Sequence, residues 1–244
     1  IFIAMMSTYQ SLDTSQASYY QQYQLAQVFA RLKRAPEPLA DQIQAIPGVA
    51  QVQTRVVVDV TLDVPGRKEP AIGRLISLPE RQAPMLDDVY LRQGRYIEPG
   101  RAEEVLVSEA FATANHLQLG ATIGAIVNGR WQRLTIVGIA LSPEYVYEIR
   151  AGDLIPDNQR FGVLWIGRKA LGTAFNLDGA FNDVALSLAP KTNPQAVIFQ
   201  LDLLLKPYGG FGAYDRADQV SNKFISDELT QLRSHATIVP SIFL

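Results

Sequence analysis

The residues best suited to acid–base or metal chemistry are few in this chain. Its two histidines, His116 and His235, fall on predicted helices with no second histidine and no carboxylate three or four positions away. A metal site on one helix face needs a second ligand at such a spacing. Cysteine is absent, which removes thiolate metal sites and thiol nucleophiles. We interpret both histidines as surface or partly buried side chains and expect no metal.

Two pairs of adjacent carboxylates, Asp87-Asp88 and Glu103-Glu104, are the other candidates for acid–base work. Adjacent side chains diverge on a strand, so neither pair supplies the facing carboxylates that such chemistry needs. We predict solvated loops for both. No serine lies in a GxSxG or SxxK motif, so a soluble hydrolase would need Asp, Glu and the two histidines together. It is kept only as a third hypothesis, and no catalytic residue is expected.

Nothing in the sequence predicts a phosphate-binding loop. GxxxxGK[ST] does not occur, so the chain cannot bind and hydrolyse ATP by this route. The glycine-rich run Gly209 to Gly212 follows a predicted helix and precedes a strand, which is the reverse of the order that aims a helix N-terminus at phosphate. A turn is predicted there. No cofactor is expected in this chain, and any energy source is expected to be a partner.

Charge and aromatic patterning argue against nucleic acid as a ligand. The net charge is −2, from 22 basic and 24 acidic residues, and no basic run occurs. The tyrosines of SYYQQYQ could stack on a sugar or a base. At helical spacing, however, an aromatic stripe more often packs against a neighbouring helix. We therefore expect no nucleic-acid partner, and we predict a packing role for these tyrosines.

A helix, a tight turn and a strand are predicted near the start of the chain. Residues 15–34 lack Pro and Gly and carry apolar side chains at helical spacing, which predicts a helix. A shorter helix, PLADQIQAI, carries Leu39, Ile43 and Ile46 on one side and ends at Pro47-Gly48. The β-branched run VAQVQTRVVVDVTLDV then predicts one long strand that ends at the Pro65-Gly66 turn.

The same order recurs near the other end of the chain. NDVALSLAP predicts a strand, Pro194 to Leu205 a helix, and AYDR a second short strand. The apolar side of this helix is expected at Ala196, Phe199 or Gln200, Leu203 and Leu204. Two such units can pair their strands in one sheet with both helices on one face. We therefore predict an α+β fold with a ferredoxin-like subdomain built from both ends of the chain.

The intervening residues, from about Met85 to Ala180, predict a mainly β insertion. Short apolar strands such as EVLVS and GVLWIG are separated by Gly and Pro. Asn128-Gly129 between alternating apolar runs predicts a hairpin, because this pair tolerates positive φ angles. One short helix is predicted from Ser108 to Leu117, with Ser108 as its N-cap and Gly120 just beyond its end.

Both ends of the chain are apolar. IFIAMM has no basic region and no cleavage site, so it does not resemble a signal peptide, and both it and IVPSIFL are shorter than the roughly 20 residues of a spanning helix. A helix predicted from Ser221 to Thr237 leads into the second stretch. The ends are either clipped membrane segments or edge pieces of a core, and we favour two stalk helices entering one membrane. The expected membrane-flanking residues are Ile1, Phe2, Ile3, Ile238, Val239, Ile242, Phe243 and Leu244.

Two stretches resemble a known family. The run FARLKRAPEPLADQIQAIPGVAQVQTRVVVDVTLDV resembles the start of the periplasmic core domain of FtsX-like ABC transporter permeases, which include MacB and the LolC and LolE lipoprotein exporters. A second block resembles the family in its order of a Gly-Arg pair, a strand, a short helix, a Leu-x-x-Gly turn and a Val-Gly-Ile strand. Here these are Gly94-Arg95, Val105 to Ser108, Glu109 to His116, Leu117 to Gly120 and Val137 to Ile139. The likeness covers residues 1–142 and 182–244.

The resemblance implies a location and partners. It implies a periplasmic domain of a permease in the bacterial cytoplasmic membrane, with a porter-type α+β subdomain and an inserted β subdomain. It also implies a cytoplasmic ATP-binding subunit as partner, with a second permease copy and a periplasmic adaptor or substrate protein as further partners. It implies no catalytic residue. The predicted units are a stalk helix at 1–35, the porter-like subdomain at 36–84 and 181–218, the inserted subdomain at 85–180, and a second stalk helix at 219–244.

Two functional hypotheses of different classes follow. The first is a mechanical element that couples ATP hydrolysis by a partner to substrate export or partner regulation across the membrane. The second is a membrane-anchored ligand-binding or adhesion module with no role in transport. No motif selects the substrate or the regulated partner, and the chain itself is not expected to be an enzyme.

Overall fold

The structure is a computed structural model that describes residues 18–150, 152–228 and 230. Residues 18–22 and 220–228 are helical. Between them lie, in chain order, β1 Val28–Pro36, α1 Leu39–Gln44, β2 Val49–Arg55, β3 Val57–Asp63, β4 Ala71–Leu78, β5 Tyr90–Gly94, β6 Glu104–Ser108, α2 Glu109–Ala114, β7 Thr122–Val127, β8 Arg130–Leu141, β9 Phe161–Gly167, α3 Arg168–Ala174, β10 Ala180–Leu188, α4 Pro194–Leu205 and β11 Gly210–Asp215.

Both ends of the chain build a four-stranded antiparallel sheet. Its strand order is β11-β1-β10-β2. Helices α1 and α4 pack on one face, where Ile43 and Leu201 share a buried core with Val28 and Leu186. The other face carries Phe29, which packs in a separate cluster with the segment that precedes β1. The first part of the central strand β1, residues 28–30, is therefore buried on both sides.

The middle of the chain builds a seven-stranded sheet that closes on itself. Its order is β5-β8-β6-β9-β4-β3-β7, and β7 also pairs with β8, so six strands form a ring with β5 attached at its side. Alternate residues of these six strands fill the interior. They are Val60, Leu62, Leu75, Val105, Val107, Ile123, Ala125, Leu134, Ile136, Leu164 and Ile166.

The helix predicted over residues 15–34 is wrong for most of the described part of that range, because the first strand begins there. Only residues 18–22 are helical in the described part of that range, and β1 begins at Val28. Val28 and Ala30 enter the core below α1 and α4, whereas Phe29 enters the core on the opposite face. A strand buried on both faces has consecutive apolar residues, and such a run cannot be distinguished from a helix by its period. Pairing with β10 and β11 decides the outcome.

The long strand predicted after Gly48 is in fact two strands. It breaks at Val56, where the backbone leaves the four-stranded sheet and enters the closed sheet. Ser77 fixes the break, because its Oγ accepts a hydrogen bond from Val56 N at 2.8 Å and its own N–H donates to Val56 O at 2.9 Å. The predicted unit boundaries move accordingly. Strands β3 and β4 belong to the closed sheet, not to the α+β part, and β1 belongs to the four-stranded sheet.

Helix α4 has the predicted ends but a different buried side. The residues expected to be apolar contacts, Phe199 and Leu203, are 66% and 57% exposed. Val197, Leu201 and Leu205 face the sheet instead. The helix carries apolar residues on more than one side, so two overlapping stripes exist and the sheet contact selects between them.

Several local predictions are confirmed. Leu39, Ile43 and Ile46 of the first predicted helix stripe are buried. Asn128 and Gly129 form the turn between β7 and β8 with φ angles of 47° and 75°. Ser108 occupies the N-cap position of α2, although its side chain makes no capping bond. Gly209 ends the turn after α4 with a φ of 72°.

The predictions for the extreme ends lie outside the described residues. They include all eight membrane-flanking residues and most of the second stalk helix. Among residues that the structure describes, no helix combines the length and the apolar character needed to cross a membrane.

Candidate functional site: a buried charge cluster between the two sheets

Arg55 lies at the point where the chain passes from one sheet to the other, surrounded by three carboxylates. Arg55 Nε donates to Asp183 Oδ1 at 2.7 Å, and Nη1 donates to Asp87 Oδ2 at 3.2 Å. Glu144 binds both ends of the guanidinium, with Nη1 to Oε2 at 2.5 Å and Nη2 to Oε1 at 3.2 Å. All four residues are at most 6% exposed. We call Arg55, Asp87, Glu144 and Asp183 the Arg55 cluster.

Four different parts of the fold supply these side chains. Arg55 ends β2, and the register places it directly opposite Asp183 of β10. Asp87 lies between β4 and β5, and Glu144 lies in a short turn at Pro143–Tyr145 that follows β8. The first two residues therefore belong to the four-stranded sheet and the other two to connections of the closed sheet. The cluster joins the two sheets in the interior.

The cluster carries one positive charge against three carboxyl groups. Burial and, to a smaller extent, the charge of Glu144 raise the pKa of Asp87, and Arg55 opposes the change, so that the pKa of Asp87 lies at about 7. Burial alone would lower the pKa of the Arg55 guanidinium, but Asp183, Glu144 and Asp87 together hold it well above its usual value. The guanidinium therefore stays charged, and Asp87 takes up a proton near neutral pH.

The first described segment is held by Asp87. Asp87 Oδ1 accepts a hydrogen bond from Ala26 N at 2.8 Å, and Asp87 N donates to Gln24 O at 3.0 Å. The next residue repeats the contact, since Asp88 N donates to Tyr23 O at 3.0 Å. Residues 23–26 are thereby fixed to the connection between β4 and β5.

The last described segment is held by the turn that contains Glu144. Gln219 Nε2 donates to Glu144 O at 2.6 Å, and Tyr147 N donates to Ser221 Oγ at 2.9 Å. The Tyr147 hydroxyl also donates to Glu228 at 2.8 Å, and its ring lies 4.7 Å from that of Phe224. The C-terminal helical segment therefore docks on the connection that follows β8.

Arg216 ties the two terminal segments to one another. Its Nε donates to Ala26 O at 2.9 Å, its Nη2 donates to Leu25 O, and its guanidinium lies 5.8 Å from the ring centre of Tyr20. Ile225 packs against the cluster that contains Tyr20. A groove of about 590 Å³ remains between the segments, lined in part by Gln21, Gln24, Asn222 and Ser226.

The structure buries two of the four carboxylates that were predicted in solvated loops. Asp87 is buried in the Arg55 cluster. Glu104 is also buried, and both its oxygens accept bonds from Arg95 at 2.8 and 2.6 Å. That ion pair lowers the pKa of Glu104. Their neighbours differ, since Asp88 is half-buried in the connection before β5 and Glu103 is exposed in the turn before β6.

The remaining candidates are the two histidines and the tyrosines of SYYQQYQ. His116 is exposed at the end of α2, with a φ of 54°, and His235 lies outside the described residues. Tyr19 and Tyr23 pack together at 4.9 Å, as predicted, but Tyr23 also contacts Tyr90 of β5 rather than a helix. Within the described ranges, no group of three or more His, Cys, Asp or Glu residues is arranged to hold a metal ion.

Sequence reasoning did not identify Arg55. The available signal was a single arginine in the interior of the β-branched run QVQTRVVVDV. An arginine that is buried in such a run requires carboxylate partners. The partners lie 32, 89 and 128 positions further along the chain, so only the fold brings them together.

Comparison with known proteins finds similar structures but no sequence family. No family model matches the chain, and no curated protein matches it. Among solved structures, the extracellular domain of the noncanonic ABC-type transporter YknZ from Gram-positive bacteria is similar over 78% of this chain and 98% of its own, with 13% identity and a TM-score of 0.45. The periplasmic region of MacB from Actinobacillus actinomycetemcomitans is similar over 88% and 98%, with 12% identity and a TM-score of 0.48. MacB also belongs to the group that the sequence resemblance names.

Proposed function

We propose that the chain is the extracytoplasmic domain of an ABC transporter permease subunit in a bacterial cytoplasmic membrane. It couples ATP hydrolysis by a cytoplasmic ATP-binding subunit to substrate export, or to regulation of a partner, on the far side of that membrane. The resemblance of two long stretches to FtsX-like permeases supports this proposal. The observation that carries it is the Arg55 cluster, because both sheets and both terminal segments meet there.

The four-stranded sheet has the arrangement expected of a porter-type subdomain. Its elements follow the order β-α-β, closed sheet, β-α-β, and the strand order β11-β1-β10-β2 with two helices on one face supports the ferredoxin-like subdomain that we propose. The closed sheet is inserted between the two halves. Strand β1 begins two residues after Ala26, so a displacement of the first segment acts directly on the middle of this sheet.

The cluster converts such a displacement into a change between discrete arrangements. The first segment is bonded to Asp87 and the last to the turn of Glu144, and both carboxylates bind the same guanidinium nitrogen. Separating buried charges is costly, so intermediate positions are unfavourable. Movement of either terminal segment therefore shifts the closed sheet relative to the four-stranded sheet as a unit. The domain needs neither a cofactor nor catalysis of its own for this role.

A cross-link between the terminal segments tests the proposal. Gln21→Cys and Ser226→Cys place thiols on opposite sides of the groove, and the chain has no other cysteine. In the full-length permease with its ATP-binding subunit, a bis-maleimide should abolish the substrate-stimulated part of ATP hydrolysis, and each single variant is the control. Unchanged stimulation after complete cross-linking would contradict a mechanical role.

One cleft favours the alternative of a ligand-binding module. It measures about 660 Å³ beside α3 and is lined by Arg101, Arg130 and Lys169, with Glu80 as the acidic member of the lining. An excess of positive charge in a concave site suits an anionic ligand. Saturable binding of a small anion such as phenyl phosphate, lost in Arg130→Glu and retained in Arg133→Glu on the opposite face of β8, would support this second candidate.

A further inference from the structure

The Arg55 cluster has one guanidinium group and three carboxyl groups, and Asp87 is one of these carboxyl groups. The charged groups that interact with Asp87 are Arg55 of β2, Glu144 of the turn after β8, Asp183 of β10 and Arg216 beyond β11. The hydroxyl of Tyr20 interacts with Arg216, and that of Tyr214 interacts with Glu144 and Asp183. Arg168 also interacts with Asp183 but is paired with Glu37 at 2.8 Å, so with Arg216 and Arg168 included four carboxylates oppose three guanidinium groups. Since the four members of the cluster are buried, water screens this imbalance poorly.

Asp87 is the carboxylate whose charge holds a terminal segment directly. One oxygen accepts from the Ala26 backbone at 2.8 Å, and the other accepts from Arg55 at 3.2 Å, the longest bond that a carboxylate of the cluster makes to Nη1. Asp183 and Glu144 keep shorter bonds to the guanidinium. A proton that enters the cluster is therefore least disruptive to Arg55 when it binds Asp87.

Protonation at this carboxyl weakens two contacts together. A hydrogen bond to a carboxylate is roughly twice as strong as one to a neutral carboxyl group. The bond from Ala26 N and the ion pair with Arg55 both lose this charge-assisted part. The backbone bonds from Asp87 N to Gln24 O and from Asp88 N to Tyr23 O do not depend on the charge and keep the segment nearby.

We propose that the Arg55 cluster is a proton-operated latch, in which protonation of Asp87 loosens the hold of the closed sheet on residues 23–26. This inference concerns the regulation of the coupling site and rests on the proposed function for its biological meaning. The raised pKa of Asp87, about 7 through burial and the charge of Glu144, is in accord with a latch that works near neutral pH.

Amide hydrogen exchange of the 244-residue chain at pH 6 and pH 8 tests the latch. Ala26 N reports on the bond to Asp87, and Gln27 N, which donates to Leu186 O at 2.8 Å, is the internal reference. After correction for intrinsic rates, protection of Ala26 relative to Gln27 should fall about tenfold from pH 8 to pH 6. Asp87→Asn should show the low value at both pH values, and Asp88→Asn should behave like the unmodified chain.

The carboxyl carbon resonance of Asp87 provides a second readout that needs no variant. It should titrate near pH 7, and a midpoint below about 5, the range of an ordinary aspartate, would overturn the proposal. Equal Ala26 protection at both pH values would also overturn it. The latch and the proposed function can fail separately. If Asp87 titrates near pH 7 but the cross-link between Gln21→Cys and Ser226→Cys leaves ATP hydrolysis unchanged, the latch stands and its role in coupling is removed.

Discussion

Arg55 and Asp183 face each other across β2 and β10, with Nε 2.7 Å from Oδ1, at the position where β2 ends and the chain turns into the closed sheet. An arginine placed here could not be replaced by an apolar residue without further change. The three carboxylates around it would lose their common partner while remaining buried.

Replacing this arginine should be strongly destabilising. Arg55→Met keeps much of the side-chain volume but removes the cation that the three buried carboxyl groups share, and we expect a loss of about 3–5 kcal/mol in the free energy of unfolding. Urea denaturation at pH 7.5 measures it. Arg133→Met, on an exposed position of β8, is the matched control and should change stability by less than about 0.5 kcal/mol. Equal effects of the two substitutions would mean that the cluster contributes nothing.

Glu148 should make stability fall as the pH rises. Its carboxylate is 3% exposed, accepts bonds from Ser108 Oγ at 2.9 Å and Val163 N at 3.2 Å, and has no cationic partner among the described residues. Burial raises its pKa to about 7. The folded state therefore binds more protons than the unfolded state between about pH 4 and 7, and stability decreases across this window.

A neutral side chain removes that dependence. Glu148→Gln should be more stable than the unmodified chain by about 1–3 kcal/mol at pH 8, and the difference should close towards pH 5. Thermal denaturation over this pH range gives the measurement, with Glu103→Gln at an exposed carboxylate as the control. A Glu148→Gln profile parallel to that of the unmodified chain would contradict the assignment.

The two sides of α4 should respond differently to truncation. Leu201 is fully buried against the four-stranded sheet, so Leu201→Ala should cost about 2–5 kcal/mol through lost contacts and the resulting cavity. Leu203 is 57% exposed on the same helix, and Leu203→Ala should cost less than about 1 kcal/mol. Chemical denaturation of both variants decides which apolar stripe faces the core.

Gly162 should not tolerate a side chain. A Cβ added there would lie 2.3 Å from Cγ of Phe111, which packs in the core of the closed sheet from α2. We expect Gly162→Ala to cost about 1–3 kcal/mol by overpacking. The double variant with Phe111→Leu should recover part of that loss relative to the sum of the single changes. Strict additivity in this cycle would show that the two residues do not compete for space.

Local signals predicted the elements that depend on neighbouring residues. The Asn128-Gly129 turn, the short helix containing Ile43 and the ends of α4 all follow from turn chemistry, helix periodicity and proline positions. The Asn193 side chain, which accepts a hydrogen bond from Gln195 N, caps α4 at the predicted position. These features were accessible because their causes lie within a few residues of one another.

The features that sequence reasoning missed depend on distant partners. The sequence predicts a helix at Val28 and Phe29 because the strands that pair with them, β10 and β11, lie far along the chain. The pairing of β7 with β8 is a local hairpin, but its role in closing the sheet depends on β3 pairing with the opposite edge of β7. The Arg55 cluster likewise assembles from four separate segments, so no spacing could indicate it.

The chain leaves the four-stranded sheet after Arg55 and returns to it with β10, and these two crossings are neighbours. Asn182 Nδ2 donates to Val57 O and its Oδ1 accepts from Val57 N, both at 2.8 Å. A single side chain therefore bonds the two crossings to each other. Entry to the closed sheet and exit from it are consequently held by one side chain, so a change at Asn182 would loosen both crossings at once.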